Sequence, residues 1–201
     1  NLMGLILDVH RNYTLPAVTA PFNLTQYLGM LNELLTEFQF GSAQHIKLVG
    51  VLFNQQNNYS FNVNFNTIKN QYYADQFQSV KSFNNGEIKL HSSLSEERIN
   101  MLYLALREAK SNFFKLSTDI TPIEGDPNPT INLYVFKNGE DYANLGAMFF
   151  NIPTNNGGIY IENNGSLYTF DRESELLPID MLLKHEYIHY LDGRYNIHGT
   201  F

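Results

Sequence analysis

Residues 178–195 read PIDMLLKHEYIHYLDGRY, from Pro178 to Tyr195, and they organise the rest of the chain. Pro178 suits the first turn of a helix, because it has no amide hydrogen to leave unpaired and its φ is preset. Leu182, Leu183, Ile188 and Leu191 give that helix a buried side, and Asp192 followed by Gly193 predicts its stop. On the same stretch His185 and His189 stand four apart, with Glu186 between them. Residues four apart on a helix lie one above the other, so both imidazoles can address one ion. Neutral imidazole suits Zn²⁺. Glu186 lies about 100° round the helix from His185. There a carboxylate can take a proton from water that the metal has acidified to a pKa of roughly 7, and pass it to a leaving amine. His185 and His189 are therefore candidate zinc ligands and Glu186 a candidate general base. The bland alternative is a helix with two core or solvent-facing histidines.

A longer HExxHxxGxxH signature would need glycine at position 192 and histidine at 195, where the chain has Asp192 and Tyr195. The other common arrangement is two histidines and a glutamate on a later helix. After His189 the chain holds one carboxylate, Asp192. The third ligand is therefore expected beyond Phe201. His198 lies past the helix stop and fits no ligand spacing, apart from a minor role as a surrogate.

Working outward, Gly158 to Glu162 and Ser166 to Phe170 are strand candidates split by the turn Asn163, Asn164, Gly165. Thr130 to Phe136 is a buried strand, and Ala147 to Ile152 a further candidate. Ser93 and Glu96 have capping-box spacing ahead of a helical face formed by Ile99, Leu102, Ala105, Leu106, Ala109 and Phe113. Glu87 to His91 alternates as a short strand after the turn signal Asn85, Gly86. Before it, Leu24, Leu28, Leu31, Leu35 and Phe38 recur with helical period. Ala43 to Phe53 fits a helix or a strand, Asn54 to Asn66 a loop with an alternating piece near Tyr59 to Phe65, and Thr67 to Val80 a weakly patterned helix. The composition shifts at Phe83 to Gly86. This predicts a helical segment over 1–82, and over 83–201 an α+β unit with a mixed sheet backed by helices and HExxH on its last helix.

The chain has 201 residues, with 13 Lys and Arg against 20 Asp and Glu, a net charge of −7. That balance argues against nucleic acid as a partner, which needs a basic face. At 43% hydrophobic and 14% aromatic the chain can bury a core. With no cysteine, disulfides and thiolate metal sites are excluded. No apolar run approaches the roughly 20 residues of a membrane span. Asn1 to Asp8 lacks the basic flank and cleavage site of a signal peptide. Without an initiating Met, the sequence reads as an interior piece of something longer. Sequons at Asn12, Asn23, Asn58 and Asn164 are incidental in an Asn-rich chain, and His10, His45 and His91 are read as structural.

Three strings, NNGGIYIE from Asn155 to Glu162, GSLYTFDR from Gly165 to Arg172 and HEYIHYLDGRY from His185 to Tyr195, resemble the secreted bacterial collagenases. These are zinc metallopeptidases with a glutamate third ligand. The resemblance is firm over Phe83 to Phe201 and loose over the helical part before it. It implies the N-terminal half of a zincin-type peptidase domain, with His185 and His189 as zinc ligands and Glu186 as general base. It also implies that Gly157 and Gly158 open an edge strand on which an extended substrate pairs, where a plain turn is the alternative. Glu162 would be a calcium ligand, the alternative being a solvated strand end. Residues 1–82 would end a helical activator segment. Collagen or gelatin-like peptides as substrate, secretion and a monomeric state follow from the resemblance alone. Lacking the third ligand, this chain by itself is expected to have little or no activity. The competing class is a non-catalytic protein-binding module or degenerate relative, against which the intact Glu186 argues.

Overall fold

The structure is a computed structural model and describes residues 24–57, 60–117, 119–173, 178–197 and 199. His10, Asn12, Asn23, Asn58 and His198 lie outside the described residues. The chain divides between Phe65 and Asn66 into two compact units.

The first unit is a helix pair, α1 (Leu24–Glu37) and α2 (Ala43–Gln55). Ser42 starts α2 by accepting the His45 amide hydrogen at 3.2 Å, which resolves the helix-or-strand choice for this stretch. Leu31, Leu48 and Leu52 form its buried centre, with Leu34, Leu35, Phe38, Phe61, Val63 and Phe65 packed around them. Phe61 and Val63 thus alternate toward this core without forming a strand.

α3 (Phe65–Gln76) leads into the second unit, a sheet of five strands in the order β1-β2-β3-β5-β4. The strands are β1 (Ser79–Phe83), β2 (Ile88–Ser92), β3 (Ile131–Phe136), β4 (Gly158–Ile161) and β5 (Ser166–Phe170). β2, β3 and β5 are parallel, and the two outer strands run antiparallel to their neighbours. The expected helix to Val80 stops at Gln76, because Ser79 and Val80 belong to β1. β1 turns into β2 through Asn84, Asn85 and Gly86, all at positive φ, a conformation that asparagine and glycine tolerate best.

α4 (Glu96–Leu116) crosses from β2 to β3. Its cap is Ser95, which accepts the Arg98 amide hydrogen at 3.2 Å, and not the expected Ser93. Ser92 already accepts the Leu94 amide hydrogen, so the chain is still turning at Ser93. α5 (Gly139–Phe150) takes up most of the expected strand Ala147–Ile152. Asn138 caps it, Glu140 and Asp141 sit in its first turn, and Tyr142, Leu145, Met148 and Phe149 are buried at helical spacing. α6 (Ile179–Tyr195) carries HExxH and continues past the expected stop at Asp192 and Gly193.

The strand pleat sorts side chains to two faces. Ile88, Leu90, Ile131, Leu133, Val135 and Leu167 meet Leu102 and Leu106 of α4 and Leu183, Tyr187, Tyr190 and Leu191 of α6 in one core. On the opposite face Tyr134 stacks between His91 and Tyr168. Phe77, Phe149 and Phe150 close over this row together with Phe136. Among the described residues no helix is long and apolar enough to cross a membrane.

Candidate active site

The buried side of α6 fixes what its other side presents. Leu183, Tyr187, Tyr190 and Leu191 are fully buried, which turns His185, Glu186 and His189 toward β4 and solvent. β4 runs alongside α6 in the same direction. Gly158 packs on Leu182, Tyr160 meets Glu186 and Tyr190, and Glu162 reaches Gly193. The lengths match, since four residues of strand span about 13 Å and eleven of helix about 16 Å.

The Nε2 atoms of His185 and His189 are 3.3 Å apart, with ring planes at 87°. Two nitrogens at about 2.0–2.1 Å from a tetrahedral zinc lie about 3.3–3.4 Å from each other. The histidine pair therefore fits such an ion as it stands. Among the described residues no group of three His, Asp or Glu converges on one point.

Glu186 is tied to the strand, accepting the Tyr160 main-chain N–H on Oε2 at 2.9 Å. A cleft of roughly 350 Å³ lies here, lined by Ile159, Tyr160, Ile161, Glu162, Asn163, Glu186 and His189. Nearby, the buried Tyr142 hydroxyl donates to Asn156 Oδ1 at 2.7 Å. Its pKa is pushed up to about 12, first by burial and then by the Glu186 charge. Burial likewise raises the Tyr160 and Tyr190 phenols, which stay protonated and neutral around the motif.

Gly157 and Gly158 precede and begin β4, as the strand candidate requires. A Cβ on Gly158 would lie 2.6 Å from Leu182 Cδ2 and 3.0 Å from Thr169 Oγ1, and one on Gly157 would lie 2.9 Å from the Arg172 guanidinium. The space these glycines leave is thus filled from inside the molecule. The Gly157 carbonyl accepts from Thr169 Oγ1 at 2.9 Å and from the Arg172 guanidinium, which stacks on the Phe170 ring at 4.0 Å.

Glu162 sits at the other end of β4, against the last turns of α6. Its carboxylate accepts the Gly199 amide hydrogen at 3.2 Å and occupies the place where a Gly193 Cβ would stand, 2.5 Å from Oε1. The helix therefore runs through Gly193, where no side chain fits beside the carboxylate. The loop before β3 is laced to the same end. The Ile123 amide donates to the Arg194 carbonyl at 2.9 Å, and the Arg194 guanidinium donates to the Pro129 carbonyl at 2.6 Å and faces Asp126 at 3.6 Å. A carboxylate is a hard oxygen donor of the kind calcium takes.

The structure thus brings Glu186, His189 and β4 together around one cleft, with His185 beside His189 on the same helix face and Glu162 at the far end of the strand. The sequence assigns no site role to the Tyr160 amide, Tyr142 or Arg172, and marks Leu182 only as part of the buried side of the helix. A main-chain donor leaves no trace in side-chain identity, and Arg172 lay within a matched string without a partner to suggest its use.

Two histidines four apart on one helix face, with a carboxylate between them, thus stand against a sheet edge. Residues 44–201 match the family model described as Peptidase M9, Collagenase, and the chain belongs to this collagenase family of peptidases. It is 30% identical over 177 residues to Collagenase ColA of Clostridium perfringens, a match covering 84% of this chain and 16% of that protein. To Collagenase ColQ1 of Bacillus cereus it is 34% identical over 125 residues, 60% of this chain and 13% of the relative. The Microbial collagenase of Vibrio vulnificus is 34% identical over 108 residues, 49% and 13% respectively. The chain thus spans only a small part of the length of the curated relatives it matches.

Proposed function

We propose that this chain contributes the zinc-binding half of an endopeptidase active site that hydrolyses peptide bonds in extended, collagen-like or gelatin-like proteins. The observation that carries it is the Nε2 pair of His185 and His189 at 3.3 Å, with Glu186 between them and facing the strand edge. His185 and His189 hold zinc through Nε2. When bound there, zinc polarises a carbonyl and lowers the pKa of water to roughly 7. Glu186 takes the proton on a carboxylate oxygen and returns it to the nitrogen of the leaving amine. β4, opened by Gly157 and Gly158, aligns the peptide as an added strand. Glu162 holds calcium together with main-chain oxygens at the end of α6.

A carboxylate outside residues 1–201 completes the zinc site, so the chain alone has little or no activity. The helical part of residues 1–82, which ends before β1, is the end of an activator segment, and the whole protein is secreted and works as a monomer. The test is cleavage of a collagen-derived peptide by a longer chain that includes the following segment. Cleavage abolished by a chelator and reduced at least 100-fold by Glu186→Gln is expected. Equal cleavage by the Gln variant, or robust chelator-sensitive cleavage by residues 1–201 alone, contradicts the proposal.

A further inference from the structure

β4 pairs with β5 on one side only among the described residues. In an antiparallel pair, residues alternate between turning both main-chain groups toward the partner and turning both away. The Tyr160 N–H goes to Glu186, so Tyr160 is of the second kind, and so is Gly158 two residues earlier. These are the residues whose N–H and C=O groups face the open edge. An extended peptide added to that edge must place a main-chain carbonyl on the Tyr160 N–H, the donor that the Glu186 carboxylate holds at 2.9 Å. One N–H cannot serve two strong acceptors at full strength.

We infer that the Tyr160 amide is a two-position latch. In the free chain it parks Glu186 against β4. When an extended peptide adds to the edge, its carbonyl takes the amide and releases Glu186 toward His185 and His189, so the base is freed by correct main-chain docking. Two features of the structure support this. Glu186 shares one cleft with Ile159, Tyr160 and Ile161, so the released side chain stays beside the strand. It is also only partly buried, so it can leave the amide without entering an apolar core. The latch rests on the proposal that β4 is the substrate strand. Its chemical consequence is that the docking requirement is for a peptide carbonyl, not for any side chain.

The test uses the ¹⁵N-labelled 201-residue chain kept metal-free with a chelator, and the blocked peptide acetyl-Gly-Pro-Ala-Gly-Pro-Ala-amide as probe. In the free chain, Glu186→Ala should move the Tyr160 amide resonance and speed its hydrogen exchange, leaving amides remote from the cleft in place. Losing a competing hydrogen bond to a charged acceptor should tighten peptide binding by about tenfold or more in Glu186→Ala. Glu186→Gln, whose neutral oxygen competes more weakly, should fall between it and the native chain. It carries the comparison alone if the Ala variant does not fold. Equal peptide affinity in the native chain and the folded variants, or a Tyr160 amide indifferent to Glu186→Ala, overturns the latch and leaves the peptidase proposal standing. No peptide binding by any of them removes β4 as the substrate strand and the latch with it.

Discussion

Replacing Gly158 by alanine tests what the strand-opening glycines are for. An added Cβ would stand 2.6 Å from Leu182 Cδ2, 3.0 Å from Thr169 Oγ1 and 3.1 Å from Thr169 Cβ. Carbon atoms in contact rest about 3.5–4.0 Å apart, so β4 and α6 must separate by about 1 Å. Thr169 is fully buried and Leu182 nearly so, which leaves neither free to swing away. Overpacking of this kind costs about 1–3 kcal/mol, and the reduced freedom of the unfolded chain returns about 0.4–1 kcal/mol. The net expectation is a loss of about 1–2 kcal/mol, or a fall in midpoint of about 2–8 °C by circular dichroism. In a Leu182→Ala background, itself about 2–5 kcal/mol less stable, the new methyl enters the vacated space. Most of the penalty should then vanish, giving a coupling of about 1–2 kcal/mol. A Gly158→Ala chain as stable as the native one, or a penalty equal in both backgrounds, refutes the internal-packing account. The glycines would then be spared for contact from outside.

Other substitutions probe the supporting framework. The Tyr187 hydroxyl is buried with no hydrogen-bond partner among the described residues, so Tyr187→Phe should leave stability unchanged or raise it by about 1 kcal/mol. A clear loss in urea unfolding would reveal a partner. Lys110 Nζ lies 2.7 Å from Glu87 Oε2, and both side chains are mostly buried. Lys110→Met should therefore cost about 2–3 kcal/mol, near the lower range for breaking a buried pair, and adding Glu87→Gln should recover part of it. Burial holds the His91 imidazole below its ordinary 6.5, so the unfolded chain takes up a proton more readily. Stability should be full above that value and fall as pH drops through it, with the slope reduced in His91→Gln as measured by denaturation midpoints. Calcium at a hundred times its Kd should stabilise the chain by about 2.7 kcal/mol, and Glu162→Gln should abolish the effect in thermal melts.

Much of the fold was legible because it is written in local chemistry. β5 coincides with the expected Ser166–Phe170, and β3 begins one residue after the expected Thr130. Each is a short apolar or alternating run between turn signals. The face of α4 also follows its spacing, with Ile99, Leu102, Leu106 and Ala109 buried. α5 was hidden because Ala147 to Ile152 is a short apolar run, and such a run cannot be told from a strand by period alone. What decided it was the cap at Asn138, eight residues before Gly146. β1 was hidden because Ser79 to Phe83 alternates only weakly, and its pairing with β2 supplies the order. Gly193 was misread as a stop because its role depends on Glu162, which lies on a different element. The same holds at the site. HExxH spacing placed the two imidazoles correctly on one helix face, while the bond from the Tyr160 amide to Glu186 depends on how β4 and α6 meet. That relation is tertiary, and no stretch of sequence encodes it by itself.

The central claim, that His185 and His189 form a zinc site on α6, is tested most directly by titrating zinc against a competing chromogenic chelator in a longer native chain that includes the following segment, and in its His185→Ala, His189→Ala and Glu186→Gln variants. One equivalent bound by the native chain and by the Gln variant, with binding lost in either histidine variant, is the predicted result. Zinc held equally well after both histidine substitutions, or no zinc bound by the native chain, would contradict it.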